Sequence, residues 1–360
     1  MNGFNINGIQ QVGVGTTDFR QSWDWYIEHF GFDIKILEDD TVAERMLPYT
    51  GGRPQKRHAC ITVNLNGGGG LEIWQYSDRQ PQNPTQRVLI GDLGVFAAKI
   101  HCRDVAHFRK QLLRQGLRPS EVAPTPSGQK VFYVTDLFGN LLQVAEDSYT
   151  FVRQAKPVGG VAGAITGVSD MEKSIAFYRD LLGYDTVEYD VSGIQADWKD
   201  YPGGGQSYRR VLLGRSQKPS GAFSGLLGPH CIELVQALDR KPKKIYEGRY
   251  WGDPGFIQVC YDVSGMDAFA KHCAALGHPF TVDSCPDGEI FDMGEASGRF
   301  TYVEDPDGSL IEFVETYQVP IAKKLGLVID MKKRRPDKTL PKILFRAMGL
   351  VSRQPKPGKK

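Results

Sequence analysis

From Phe300 to Glu315 the chain reads FTYVEDPDGSLIEFVE, an alternating pattern broken by one turn. Asp305-Pro306-Asp307-Gly308 carries the turn: proline presets φ and glycine accepts positive φ. Beyond it Leu310, Glu312 and Val314 alternate with Ile311, Phe313 and Glu315, which predicts a strand with Glu312 facing away from Ile311 and Phe313. A carboxylate amid apolar neighbours needs a partner, a metal or a chemical task. The same design occurs 169 residues earlier, in VFYVTDLFGNLLQVAE at 131–146, where Gln143 takes the place of Glu312 and Glu146 that of Glu315. A repeat of this kind organises the rest of the reading.

Four helices set its register. Asp18, Asp104 and Asp170 are good N-caps, and Ser264-Gly265 opens the fourth. Apolar residues follow at helical spacing: Trp23, Tyr26, Ile27 and Phe30; Val105, Phe108 and Leu112; Met171, Ile175, Tyr178 and Leu182; Met266, Phe269, Ala270 and Cys273. Gly31, Gly116, Gly183 and Gly277 suit the C′ position, 12 or 13 residues after each opening. A strand precedes each helix, at 9–15, 95–102, 161–168 and 256–263, and another closes each unit, at 71–76, 141–145, 231–236 and 310–314. Odd units carry a long middle insert, 38–57 and 189–223, while even units are compact. The expectation is an α+β chain of four βαβββ modules pairing into two cupped, barrel-like mixed sheets. The modules span 8–76, 94–146, 160–236 and 255–316. With the main boundary at Arg153–Gly160, the division predicts an N-terminal domain 1–152, a C-terminal domain 160–317 and a basic extension 318–360.

Charge adds one feature that the net value of +2 conceals. Residues 319–360 hold 13 Lys and Arg against 2 Asp, a net of +11, which leaves −9 on the rest. Within this tail Ile321, Leu325 and Val328 share one helical face, and Leu340–Met348 reads as a short amphipathic helix with proline at its start and Gly349 at its end. Such an arm suits the acidic body or a second subunit, making a homodimer; an anionic membrane surface is the rival occupant. Nucleic acid is not expected, because Phe345 is the one aromatic interleaved with the charges. No apolar run approaches the roughly 18 residues of a membrane span. Cys60, Cys102, Cys231 and Cys260 lie in apolar strand-like runs without a CxxC, as reduced core thiols of a cytoplasmic protein would.

Repeated βαβββ units whose helix reads S-x-x-x-Y-x-x-x-x-G resemble the vicinal oxygen chelate superfamily of glyoxalases, extradiol dioxygenases and bleomycin-resistance proteins. Ser22, Tyr26 and Gly31, then Ser174, Tyr178 and Gly183, carry the resemblance, together with LEIWQY, CIELVQ and DPDGSLIEF. It implies metal ligands on the opening strand, seven residues before the helix cap, and on the closing strand. Those positions hold Gln11, Ala97, Gly163 and Gln258, then Glu72, Gln143, Glu233 and Glu312, with no histidine among them. Pairing of the first unit with the second and the third with the fourth would join Gln11, Glu72 and Gln143 in one site and Glu233, Gln258 and Glu312 in the other. Pairing of the first with the fourth would join Gln11, Glu72, Gln258 and Glu312, leaving Gln143 with Glu233. Gln258 and Glu312 belong to the richer site either way.

The resemblance implies a divalent-metal-dependent lyase or isomerase acting on a small molecule. Glu312 is the first candidate for moving a proton beside a metal-bound carbonyl, and Glu72 or Glu233 the second. Gln258, Glu312, Glu233, Gln11 and Glu72 are the candidate ligands. Oxygen donors favour Mg²⁺ or Mn²⁺ by hardness, with Zn²⁺, Ni²⁺ and Fe²⁺ open. The vacant positions Ala97 and Gly163 support an alternative, a metal-free binding protein that sequesters a small molecule. A ring-cleaving dioxygenase is the third reading, although that chemistry commonly uses two histidines and one carboxylate.

Overall fold

The computed structural model describes residues 3–286, 291–292, 297–322 and 327–358. The four helices form where the caps and glycines set them. The Asp18, Asp104 and Asp170 carboxylates accept the N–H of Gln21, His107 and Lys173 at 2.9, 2.8 and 3.1 Å. The first helix, Phe19–Trp25, widens into a π-turn, Tyr26–Phe30, before Gly31 ends it at φ 73°. The fourth, Met266–Ala275, has no capping side chain of its own. Glu315 takes over, accepting Gly265 N–H at 2.6 Å and Met266 N–H at 3.2 Å. Glu146, its repeat partner, likewise accepts Val105 N–H at 3.2 Å. The two matching glutamates thus place negative charge at a helix N-terminus.

Two mixed sheets result. One runs 282–283, 297–304, 310–322, 255–264, 5–15, 70–76, 56–63, 34–42, with two further short strands attached. The other runs 186–194, 207–214, 231–237, 158–167, 94–102, 141–146, 130–135, 123–124. In each, two opening strands lie antiparallel at the centre, and each closing strand lies parallel to its own opening strand. The first unit therefore shares a sheet with the fourth, and the second with the third. Each sheet draws one unit from either side of the 153–160 boundary. That boundary leads straight into Val158–Gly167, which pairs with Gly94–Cys102. The inserts at 38–57 and 189–223 supply middle strands, Ile34–Val42 with Lys56–Val63 and Thr186–Ile194 with Ser207–Gly214.

One apolar core joins the sheets and includes Trp23, Phe30, Phe108, Leu112, Tyr178, Leu182, Phe269 and Cys273 from all four helices. The motif tyrosines cross-link units: Tyr26 Oη donates to Asp136 at 2.9 Å, and Tyr178 Oη to Asp305 at 3.3 Å. The six cysteines are free thiols. Among the described residues no helix is long and apolar enough to cross a membrane.

The tail differs from expectation in one part. Strand Leu310–Ala322 continues past the repeat and pairs with Leu327–Asp330, so Ile321 and Val328 belong to strands rather than one helical face. Leu325 lies outside the described residues. The expected second helix forms at Lys342–Val351 and runs through Gly349. That glycine serves packing, since a Cβ there would meet Leu65 Cδ1 at 2.5 Å. Leu340 and Phe345 are buried with Ile34, Val63, Leu65, Phe151 and Leu226. Arg353 pairs with Asp33 at 2.5 Å. The basic arm is docked on the body of its own chain.

Candidate functional site

The centre of the first sheet brings four candidate residues together. Gln11 and Gln258 come from its two central strands, and Glu72 and Glu312 from the closing strands on either side. Gln258 Nε2 donates to Glu72 Oε2 at 2.9 Å and lies 3.3 Å from Glu312 Oε2. Gln11 Nε2 reaches Glu312 Oε2 at 3.5 Å. One amide thus bridges two carboxylates. Gln11, Gln258 and Glu312 are buried, and Glu72 keeps partial contact with solvent.

Burial raises the Glu72 pKa, and the neighbouring Glu312 charge raises it further, to about 8. Burial also raises Glu312, against hydrogen bonds from Cys260, Tyr302 and Gln258. Neither carboxylate has an ion-pair partner among the described residues; Arg57, whose charge reaches both, is paired with Asp39 at 2.5 Å. Two adjacent carboxylates, one buried and one largely so, hold protons tightly without a bonded cation.

An aromatic wall covers the cluster. Trp74 packs edge-on against Tyr76 and Trp251, at 4.6 and 4.7 Å between centroids, with Tyr302, Met46 and Ile257 alongside. Trp251 Nε1 donates to Gln258 Oε1 at 2.8 Å. Beside Trp251 opens a cleft of about 380 Å³ whose lining includes Tyr49, Lys244, Tyr246, Tyr250 and Leu310.

Among the described residues no three His, Cys, Asp or Glu side chains form a metal-holding group, so a cation here would rely on the amides. Gln11 Oε1 is buried with no hydrogen-bond partner, an orphaned acceptor beside the carboxylates. Two carboxylates and two amides make an all-oxygen set that suits a hard cation. The residues fit.

The structure does not bring Glu233 to this cluster. It lies in the second sheet, at the closing-strand position of the third unit that matches Glu72 in the first, and is paired there with basic side chains. Lys99 Nζ donates to Glu233 Oε2 at 2.7 Å, Tyr189 Oη to Oε1 at 2.8 Å, and Arg210 Nε also to Oε1. Arg210 Nη1 reaches Asp197 at 2.8 Å, and its guanidinium stacks 4.0 Å over Trp198. Burial pushes Glu233 up, but Arg210 and Lys99 outweigh it and hold the carboxyl down at about 2. Gln143 donates to Tyr133 Oη at 2.6 Å. Gly163 is vacant for a steric reason: a Cβ would meet Cys231 O at 2.1 Å. Trp198 and Tyr201, from the middle insert, help fill this second cup. His101, four residues past Ala97, lies in the same sheet and bonds Asp147 at 2.5 Å.

Sequence reasoning missed Trp251 and Lys99, and Arg210, which beside its Gly-rich loop reads as solvated surface, is fully buried. Lys99 stands two residues after Ala97, hence on the same strand face, and a cation beside an empty ligand position was a legible signal. Trp251 lies in a connection whose composition reads as linker.

A model of the Glyoxalase/Bleomycin resistance protein/Dioxygenase superfamily matches residues 8–144 and 163–313. Among solved structures, glyoxalase I from Zea mays is similar, with a TM-score of 0.54 and 15% identity over 87% of this chain and 93% of that one. A putative dioxygenase from Bacillus subtilis has a TM-score of 0.55 and 15% identity over 86% of each chain. At such identity the likeness is one of fold. Among curated proteins none matches by sequence.

Proposed function

The chain belongs to the glyoxalase/bleomycin resistance protein/dioxygenase superfamily, and from that premise we propose a divalent-metal-dependent lyase or isomerase that moves a proton beside a small-molecule carbonyl. The supporting observation is the pair of neighbouring carboxylates joined by an amide, with an orphaned Gln11 oxygen beside them. Gln11, Glu72, Gln258 and Glu312 would hold the cation. When bound, it supplies a Lewis acid that polarises the carbonyl and stabilises negative charge on its oxygen.

The chain's own groups do the rest. Glu72 is the carboxylate with partial contact to solvent, on the side from which a substrate proton can be reached once the carboxylate is free of the cation. It therefore comes before Glu312 as the general base, reversing the order expected from sequence. Glu312, buried and held by two amides, orients the site. The wall of Trp74, Tyr76, Trp251 and Tyr302 excludes water from the reacting carbon.

One observation favours the metal-free binding protein. Gln258 is satisfied on both sides, by Trp251 at Oε1 and by the carboxylates at Nε2, so much of the cluster closes upon itself. The oxygen-only donor set weighs against ring cleavage, which commonly uses two histidines. The test is proton exchange. Metal-loaded protein is incubated in D₂O with a panel of small α-hydroxycarbonyl compounds, and deuterium beside the carbonyl is read by NMR. Exchange that Glu72→Gln abolishes supports the lyase or isomerase. Binding of panel members without exchange, for every metal, overturns it.

A further inference from the structure

The last helix, Lys342–Val351, is apolar on two faces, and the body covers one of them. Phe345 and Gly349 are buried, and Leu344 and Met348 pack beside them against the body. At about 100° per residue, Ile343, Ala347, Leu350 and Val351 fall within an arc of about 100° on the other side. All four are exposed, Ile343 at 65%, Leu350 at 87% and Val351 at 86%. Leu350 and Val351 are the most exposed large apolar side chains among the described residues.

Basic residues flank this stripe. Arg346 and Lys342 follow Ile343 and Leu350 around one side of the helix; Arg346 is exposed, while the Lys342 ammonium donates to Phe151 O of the body at 3.0 Å. Arg346 has no ion-pair partner among the described residues. Exposed Lys332 and Lys338 precede the helix and Lys356 follows it, while Lys333 and Arg335 are paired with Asp330 and Asp337. An apolar stripe bordered by cations fits an interface between hydrocarbon and anionic headgroups.

We propose that this outer face docks the protein on an anionic membrane surface, with Ile343, Leu350 and Val351 entering the headgroup boundary and the flanking Lys and Arg meeting the headgroups. Charge decides against a symmetric pairing of two copies through this face. Such a contact is self-complementary, so it would set two arms of net +11 against each other. Docking of the inner face on the body makes no conflict with this reading; it fixes the helix so that the stripe points outward. The proposal does not rest on the catalytic one.

Flotation of the full chain with vesicles tests it. Phosphatidylcholine vesicles containing about one-third phosphatidylglycerol should carry the protein, and pure phosphatidylcholine vesicles should not. Raising salt from about 0.1 to 1 M should release it, because surface attraction is screened. Leu350→Ser combined with Val351→Ser leaves every charge in place. It should reduce partitioning about tenfold or more, by the apolar area lost, with an unchanged melting temperature. No flotation on anionic vesicles at low salt overturns the proposal. Equal flotation of the double variant also overturns it, since charge alone would then explain the binding. So does sedimentation showing a dimer that the double variant dissociates, which would assign the face to a second copy.

Discussion

Glu312→Gln and Glu233→Gln remove a carboxylate from the same position of two repeats, and the structure gives them different consequences. Glu233 accepts from Lys99 at 2.7 Å, from Tyr189 at 2.8 Å and from Arg210, all in the second cup. Without its charge, Lys99 and Arg210 stay buried with Asp197 alone to offset them. Breaking a buried pair from one side costs about 3–5 kcal/mol. Glu312 is bonded by neutral amides at 3.3 and 3.5 Å and faces a second carboxylate. The glutamine keeps an acceptor oxygen and removes a like charge. Its effect should stay within about 1 kcal/mol at neutral pH, and become stabilising at higher pH where Glu72 must ionise. At about 2–4 °C per kcal/mol, the metal-free Glu233 variant should melt about 10 °C below wild type and the Glu312 variant within a few degrees of it. Calorimetry on chelator-treated proteins reads both. Equal losses would refute the reasoning, because Glu312 would then be a buried ion-pair partner rather than a site carboxylate.

Further outcomes follow from the same geometry. The folded Glu72 pKa of about 8 exceeds its ordinary value of 4.5, so the native state binds the extra proton between these values. Metal-free stability should therefore be full below about 4.5 and fall as pH rises towards 8, and Glu312→Gln should flatten that slope, as urea titrations across pH would check. Metal affinity should rise with pH over the same interval, since binding displaces that proton, which calorimetry in buffers of different ionisation enthalpy measures. Lys99→Met and Glu233→Gln together should cost less than the sum of the single changes by at least about 1 kcal/mol, read from a double-mutant cycle. Gly349→Val should drive a side chain into Leu65, which a Cβ already meets at 2.5 Å, and expose residues 341–353 to limited proteolysis while the main melting transition stays.

The elements were legible because local chemistry writes them. Asp18, Asp104 and Asp170 cap by their own side chains, and Gly31 and Gly183 end helices in the left-handed region. Counting back from those caps, as the resemblance implies, puts Gln11 and Gln258 in register, and the closing-strand pattern does the same for Glu72 and Glu312. Pairing itself was left open, because strand order depends on contacts between units more than 200 residues apart, such as Gln11 opposite Cys260. The fate of Glu233 was hidden for a related reason: Arg210 reaches it from a middle insert whose strands pair only in the fold. At the tail, Ile321, Leu325 and Val328 satisfy a helical spacing by coincidence, and pairing of Leu310–Ala322 with Leu327–Asp330 overrides it.

Metal stoichiometry tests the central claim most directly. Protein purified without chelators, or dialysed against Mn²⁺, Ni²⁺ or Zn²⁺ near pH 8, is assayed for bound metal by elemental analysis. The account predicts one divalent ion per chain, lost in Glu72→Gln and in Glu312→Gln, and retained in any Glu233→Gln protein that folds. No bound metal, together with no gain in melting temperature on adding any of these ions, would contradict it. An ion that survives both site substitutions would contradict it equally.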